Sequence, residues 1–481
     1  MIKLIITLKG IQVEEAVRKL SKFIGNRDFY RMVLMIAVPI MIQNGITNFV
    51  SLLDNIMIGQ VGTEQMSGVA IVNQLIFVYN LCIFGGVSGA GIFTAQYFGQ
   101  GNHEGVRQTM RFKLWMVMII TTLTAALFLC SGTVLISGYL KGDGSAESIA
   151  ATLMYGKQYL KIMLVGLPAF ALVQIYSSTL RECGQTMLPM KAGIAAVAVN
   201  LLFNYILIYG KLGAPALGVS GAAIATVLSR YVEMLITIVG VHRKSHGEKA
   251  AYAFVAGLYR TIKVPRELAL RIIKKGSPLL FNETLWAAGM AMLTQCYSVR
   301  GLNVVAGLNV SNTINNVFNI VFIALGDSVA IIVGQLLGAG KMKEARDTDN
   351  KMIAFSVVCC TCVAAVMFFM APFFPRLYKI NDEARLLARY FIMVTAFFMP
   401  QNAFLHATYF TLRSGGKTII TFLFDSVFIW CVSVVIAFVL SRYTALPVIA
   451  VYAMVQLGDI IKCVIGFILV KKGVWLQNIV A

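Results

Sequence analysis

Apolar residues in this chain gather in long runs separated by short polar or basic stretches. About twelve such runs occur, near 32–58, 67–98, 110–136, 152–179, 187–210, 217–241, 272–298, 304–338, 350–374, 386–412, 418–441 and 446–470. A hydrocarbon core about 30 Å thick takes roughly 20 helical residues to cross, and each run is long enough. The pattern predicts an all-α polytopic membrane protein with about twelve transmembrane helices. The runs at 67–98 and 304–338 could each hold two short helices, but no Pro or charged turn divides them apart from Asp327. Each is read as one long helix, with Asp327 expected to cap a break in the eighth span. No stretch between runs could hold a soluble catalytic domain.

Composition agrees with the pattern. The 481 residues are 58% hydrophobic and 13% charged, against roughly 25% charged in ordinary soluble domains. The net charge of +20 would suit a nucleic-acid binder were it not so unevenly placed. Both ends of the chain and the loops near 99–113, 180–191, 242–275, 339–351 and 413–417 hold about 29 of the 41 Lys and Arg, and the alternate loops about 10. The positive-inside rule then puts both termini in the cytoplasm of a cell (inner or plasma) membrane, with anionic headgroups rather than nucleic acid as the basic face's partner. Residues 1–31 have too short an apolar run for a signal peptide and read as a basic amphipathic interfacial segment.

The chain repeats itself. "TLRECGQT" (Thr179–Thr186) returns as "TLRSGGKT" (Thr411–Thr418) at 411 − 179 = 232, and "AQYFGQG" (95–101) aligns with "GQLLGAG" (334–340) at 334 − 95 = 239. At the same shifts Pro39 meets Pro278, Gln43 meets Asn282, Gly62 meets Gly301, Arg107 meets Arg346 and Pro168 meets Pro400. This is a duplicated six-helix unit: an N-lobe (32–241), a cytoplasmic linker (242–271) and a C-lobe (272–481). Six spans per half is even, so the halves form two bundles related by a pseudo-two-fold axis along the membrane normal, an arrangement suited to alternating access. The octets read as hinge-like turns, in which Arg meets lipid phosphate and last-turn carbonyls, Gly closes a helix in a left-handed cap and Thr caps the next helix. "GGKT" is not a phosphate-binding loop, since Thr411 stands where that motif needs its first Gly and no strand precedes it. The nine cysteines sit mostly within apolar runs, and the single CxxC spacing, Cys359 to Cys362, has no second pair or nearby His. They read as packing residues.

Polar groups inside the spans are costly and so carry the functional argument. Asp54 lies late in the first span, where it either works in a site or caps the next loop. Glu283 follows Pro278 in the seventh span by a little over one turn, where the bend leaves room for water or an ion. Asn200 and Asn204, four apart on one helix face, either offer carbonyls to a hard cation or bond helix to helix. Asp54, Asn200, Asn204 and Glu283 are the candidate coupling residues, the first three also a candidate Na+ site. Gln43, Asn282, Asn312, Asn316, Gln401, Asn402, His406 and Asp425 are candidate cleft residues. Asn309, Asn315, Asn319 and Thr313 add to the polarity of the eighth span. Asp459 with Lys462, and Arg230 with Glu233, are i, i+3 pairs expected to neutralise each other.

"IAVPIMIQNGITNFVSLLDNIMIGQVG", "AQYFGQG", "TLRECGQT", "VNLLFNYILIYG", "GVSGAAIAT" and "ALGDSVAIIVGQLLGAGK" together resemble the multidrug and toxin extrusion (MATE) transporters, from about Arg31 to Lys472. The resemblance implies a two-lobed, twelve-helix fold and export of cationic, amphipathic compounds in exchange for H+ or Na+. Asp54 matches that family's first-helix carboxylate, Asn200 and Asn204 its fifth-helix polar pair, and Glu283 its seventh-helix Glu. Some members have Asp where this chain has Asn204, and one branch has a tenth-helix Asp where this chain reads Gln401-Asn402. The expected protein is a functional monomer, not an enzyme, with no cofactor beyond the coupling H+ or Na+, serving small cationic or amphipathic molecules within the bilayer. A flippase for a lipid-linked precursor is the alternative. It would want a strongly cationic cavity, whereas the charges within these spans are mostly acidic. A channel fits the duplication poorly.

Overall fold

A computed structural model describes residues 23–140, 145–245, 252–378 and 380–481. Most of the interfacial segment expected at 1–31 therefore lies outside the described residues. The described residues form twelve long helices: α1 (Arg27–Gly59), α2 (Thr63–Gly99), α3 (His103–Tyr139), α4 (Ala146–Glu182), α5 (Met187–Tyr209), α6 (Val219–Arg243), α7 (Arg266–Ser298), α8 (Leu302–Gly338), α9 (Met342–Met370), α10 (Asp382–Ser414), α11 (Thr418–Tyr443) and α12 (Val448–Lys472). Short 3-10 turns at Ala253–Val255 and Leu258–Arg260 interrupt the linker between α6 and α7.

Ten of these helices are long and apolar enough to cross a membrane. The other two, α7 and α10, carry Asn282 and Glu283, or Gln401, Asn402 and His406, in their middles. The polarity that weakens them as spans is thus supplied by candidate site residues. Each of the two longest apolar runs forms one helix of 37 residues. Asp327 lies inside unbroken α8 and caps nothing, a correction to the expectation of a break there. One Asp leaves the backbone hydrogen-bond ladder whole, and its side chain finds a partner within the fold.

The duplication is visible in backbone detail. α1 and α7 both have 33 residues, α2 and α8 both 37, α6 and α12 both 25. Pro39, Pro278, Pro168 and Pro400 all sit inside helices. A close crossing also repeats. A Cβ on Gly68 of α2 would come 2.8 Å from the backbone of Thr152 and Gly156 in α4, and one on Gly307 of α8 would come 3.1 Å from Ala388 N in α10. Small residues let such helices approach backbone to backbone, and in lipid this packing replaces the hydrophobic drive available in water.

Contacts divide the chain into two compact units. The first unit is Pro39–Thr284, and the second is Leu285–Ala481 together with the described residues up to Val38. The division falls inside α1 and α7, so each of these helices contributes to both units.

The octets end α4 and α10 as expected. Gly184 and Gly416 take left-handed φ of 73° and 69°. Their amides return to Arg181 O (2.8 Å) and Arg413 O (2.9 Å), and the next amides to Leu180 O (2.7 Å) and Leu412 O (3.2 Å). The expectation for Arg fails at Arg413, and that for Thr fails in both octets. Arg413 is buried, with its guanidinium 5.2 Å from the Phe410 ring centre, so it packs inward instead of meeting lipid phosphate. Thr186 stands at the N-cap of α5 without a side-chain cap bond, and Lys417, not Thr418, takes that place before α11.

Each unit covers its octet end differently. In the first unit the linker lies on α3: Arg107 donates to Ala256 O, Arg111 to Leu258 O and Gly257 O, and Trp115 to Ile262 O. In the second unit the tail after α12 does this work, with Trp475 fully buried and Asn478 Nδ2 donating to Gly338 O at 3.1 Å.

Candidate functional site

Three of the candidate coupling residues meet in the first unit. Asn204 Nδ2 donates to Asp54 Oδ1 at 2.6 Å and to Asn200 Oδ1 at 3.0 Å. The Asn200 amide donates in turn to Thr226 Oγ1 at 3.4 Å, and that hydroxyl is held by Ala222 O one turn back. The i, i+4 spacing on α5 puts both amides on one buried face, with Asn204 1% and Asn200 4% exposed. The Asn204 Oδ1 is buried without a hydrogen-bond partner. Burying an acceptor unpaired costs about 1–3 kcal/mol, and an ion or a water at this atom would relieve that cost.

Arg230 and Tyr159, which sequence reasoning did not assign to this core, act on it. Arg230 of α6 acts electrostatically on Asp54, while its own ion pair is with Glu233, one turn on, at 2.9 Å. The buried Tyr159 of α4 also feels the Asp54 charge and donates to Asn73 Oδ1 at 3.3 Å. Tyr159 and Thr226 read as ordinary membrane-helix residues in sequence; only the packing of α4 and α6 on α5 reveals their place. Gln43 lies beside Gly193 of α5, where an added Cβ would be 3.6 Å from the amide and 3.8 Å from Glu233 Oε1. Glu283, in the part of α7 that belongs to this unit, has its Cγ 3.5 Å from where a Cβ on Gly85 would stand, and its neighbour Asn282 is buried.

The second unit gathers different chemistry. Asp425 sits in a π-helical stretch of α11, Leu423–Val427, followed by another at Ile429–Ser433. Such wide turns are rare and cluster at functional sites. Lys462 of α12 donates to Asp425 Oδ1 at 2.9 Å and lies 5.1 Å from the Phe424 ring centre. The expected Asp459–Lys462 pair is therefore corrected: Lys462 reaches across to the facing Asp425 on α11, and Asp459 acts on Lys462 through its field. His406 is within the electrostatic reach of Asp425, Lys462 and Arg413, its Nε2 buried and unpartnered, its ring 5.0 Å from Phe410 and 5.2 Å from Phe322. Gln401 donates to Gln456 O at 2.8 Å, and Asn402 is half-buried. Asn312 and Asn316 are exposed; the buried asparagine of α8 is Asn315, bonded to Ser311 at 3.3 Å and Thr395 at 3.5 Å.

One buried acid escaped the sequence reading. Asp349 of α9 is fully buried; Thr411 of the octet donates to its Oδ1 at 2.5 Å, and its Oδ2 has no partner. Its signal was hidden by Glu344, Arg346, Asp347 and Lys351 around it, which make the stretch look like a solvated turn.

Comparison with known proteins follows the same duplication. Residues 39–206 and 278–441 match the MatE family model, two segments starting at Pro39 and Pro278, the repeat's own shift (278 − 39 = 239). The probable multidrug resistance protein NorM of Thermotoga maritima is 24% identical over 446 residues, 92% of either chain. The multidrug resistance protein PmpM of Pseudomonas aeruginosa is 25% identical over 429 residues, covering 88% of this chain and 86% of its own. The solved outward-facing structure of a multidrug resistance MATE family transporter of the MOP superfamily superposes with a TM-score of 0.82 at 18% identity, over 94% of this chain and 96% of its own. That likeness shows the shared fold, and with both repeats matched over more than half of its length, the chain belongs to the MatE family.

Proposed function

We propose that this protein is a secondary active multidrug exporter, moving cationic, amphipathic compounds out of the cell in exchange for H+ or Na+ by alternating access of its two halves. It works as a monomer in the cell membrane, both termini in the cytoplasm, as the bias of Lys and Arg supports. The multidrug resistance names of its relatives support the substrate class.

The observation that carries the coupling is the Asp54–Asn204–Asn200 chain. A carboxylate bonded to an amide, beside an unpartnered carbonyl oxygen, offers oxygens to a hard cation or one site to a proton. In a low-dielectric surrounding the charged carboxylate is costly unless something positive compensates it. Asp54 therefore holds a coupling cation while no substrate is bound and gives it up when a cationic substrate arrives. Glu283, on the bent α7, is the second carboxylate proposed to take part in this exchange. Lys113, Arg230 and Lys462 each face a carboxylate, which leaves none of these three charges for a pyrophosphate and argues against the flippase.

One proton moving down one pH unit yields about 1.4 kcal/mol. Exchange of a monovalent cation for one proton moves no net charge, so that unit supports only about a tenfold substrate gradient. Ethidium transport into inverted vesicles or proteoliposomes, under imposed pH or Na+ gradients, tests the reading. Gradient-driven uptake is expected for the wild type, with Asp54→Asn losing it and Glu283→Gln reducing it. Folded wild-type protein that moves no ethidium under either gradient would overturn the exporter.

A further inference from the structure

The first unit holds a cavity of about 460 Å³ lying away from the Asp54 cluster, between α3, α4 and the linker. Its walls are apolar: Leu114, Val117 and Met118 from α3, Pro168, Ala171 and Leu172 from α4, with Leu258 and Ile262 of the linker. The one charged group at its edge, Arg111, is already engaged by Glu104 at 2.8 Å and by the Leu258 and Gly257 carbonyls, so it asks for no ligand. The rim is exposed and greasy, made of Trp115, Met118, Tyr259 and Ile262. Among these exposed lining positions the linker interleaves exposed cations: Arg260 stands between Tyr259 and Thr261, and Lys263 and Arg266 follow Ile262. An apolar slot with a basic lip has the chemistry of one kind of molecule.

We propose that this cavity binds an anionic phospholipid, one acyl chain lying in the slot against Pro168 and Ala171 and the phosphate meeting Arg260 and Lys263. Charge complementarity selects this occupant. The lip belongs to the basic face of the protein, and anionic leaflets attract juxtamembrane cations. Trp115 and Tyr259 are amphipathic rings of the type that settle at headgroup level: the indole donates to Ile262 O at 3.0 Å and the phenol reaches the buried Tyr176 hydroxyl at 2.6 Å. Because the slot's roof is the linker itself, a bound lipid clamps the linker to α3 and α4, just before the chain enters α7. The site is independent of which ion is coupled.

The test uses the full chain in nanodiscs with a trace of photoreactive phosphatidylglycerol carrying a diazirine in its acyl chain, or a phosphatidylcholine with the same chain, and maps the labelled peptides by mass spectrometry. Phosphatidylglycerol is expected to label peptides from 114–122 and 168–175 above other membrane-facing peptides. Replacing Arg260 and Lys263 with Gln should lower this labelling about fivefold per cation removed. Thr122→Trp fills the slot from an exposed position that folding tolerates, and should abolish the labelling; Ala171→Phe should repeat that from the opposite wall. Equal labelling by both headgroups, or labelling untouched by Thr122→Trp in protein that elutes as the wild type does, would overturn the proposal. So would displacement by ethidium, which would make the slot a substrate site.

Discussion

The helices α6 and α12 have the same length and carry an ionisable pair at the same two places (230 − 219 = 459 − 448 = 11), but the signs are reversed: Arg230 and Glu233 in one, Asp459 and Lys462 in the other. In α6 the pair closes on itself. In α12 Lys462 bonds instead to Asp425 of α11, and Asp425 stands where α5 has Gly193 (425 − 193 = 232). Gly193 faces Glu233 in the same way, at 3.8 Å from an added Cβ. One spatial junction, repeated in both halves, thus holds opposite charges.

A second reversal lies beneath the octets. Lys113 of α3 is fully buried and donates to Thr179, Ser178 and Glu182. In the other half the matching threonine, Thr411, donates to the buried acid Asp349. A hydroxyl both donates and accepts, so the same octet residue serves a cation in one half and an anion in the other. The duplicated features are those fixed by backbone geometry, prolines, left-handed glycines and close crossings, while side-chain charge has been free to change. At the repeat's shifts Leu293 and Val432 occupy the places of Asp54 and Asn200, so the two halves share a scaffold without sharing a site.

The largest expected effect tests the octet reversal. Lys113→Met removes the fully buried ammonium that pairs with Glu182, and breaking a buried pair in this way costs about 3–5 kcal/mol. Asp349→Asn does the opposite, since it keeps an acceptor for Thr411 and removes a charge that no cation bonds. Thermal unfolding in detergent should show a large drop for the first and little or none for the second. Equal losses would mean that Asp349 is compensated as Lys113 is, and the comparison would fail.

The junction reversal gives graded effects. The cation side chains of the three pairs are 0% exposed at Lys113, 10% at Lys462 and 35% at Arg230, and water screens a pair more as it is exposed. Methionine substitutions should therefore destabilise in that order, with Arg230→Met near about 1 kcal/mol or less. Lys462→Met should be partly rescued by Asp425→Asn, because the second change removes the charge the first one strands. A double-mutant cycle reads the coupling, and strict additivity would dissociate Asp425 from Lys462.

How much of this was legible in the sequence follows from what each signal depends on. Span number, the repeat, the unbroken α2 and α8 and the glycine caps rest on hydropathy and local backbone rules, and these were readable. The Asp54–Asn204–Asn200 grouping was half legible: the i, i+4 face of α5 is periodicity, but its contact with Asp54 is tertiary. The π turns of α11 were invisible, because α11 is 26 residues against 23 in α5 and nothing in sequence says whether extra residues lengthen a helix or widen its turns. The Lys462–Asp425 bond was hidden for another reason: it is a contact between α11 and α12, and spacing along α12 alone favours Asp459.

The most local expected effect concerns the octet's fifth place, Cys183 in one half and Gly415 in the other. In the second unit the tail after α12 crosses this turn, and a Cβ on Gly415 would stand 1.9 Å from Trp475 O. That is a backbone atom, which cannot swing aside as a side chain does. Installing the other half's residue, Gly415→Cys, should cost about 1–3 kcal/mol as overpacking or else lift the tail, so that hydrogen exchange at 473–481 rises while the α10 core stays protected. In the first unit the linker covers that end of the bundle, and Cys183→Gly should leave linker exchange unchanged. Deleting residues 474–481 removes the obstacle, so Gly415→Cys should become nearly neutral in the shortened chain. A cost that survives the deletion would place the requirement for glycine in the turn itself.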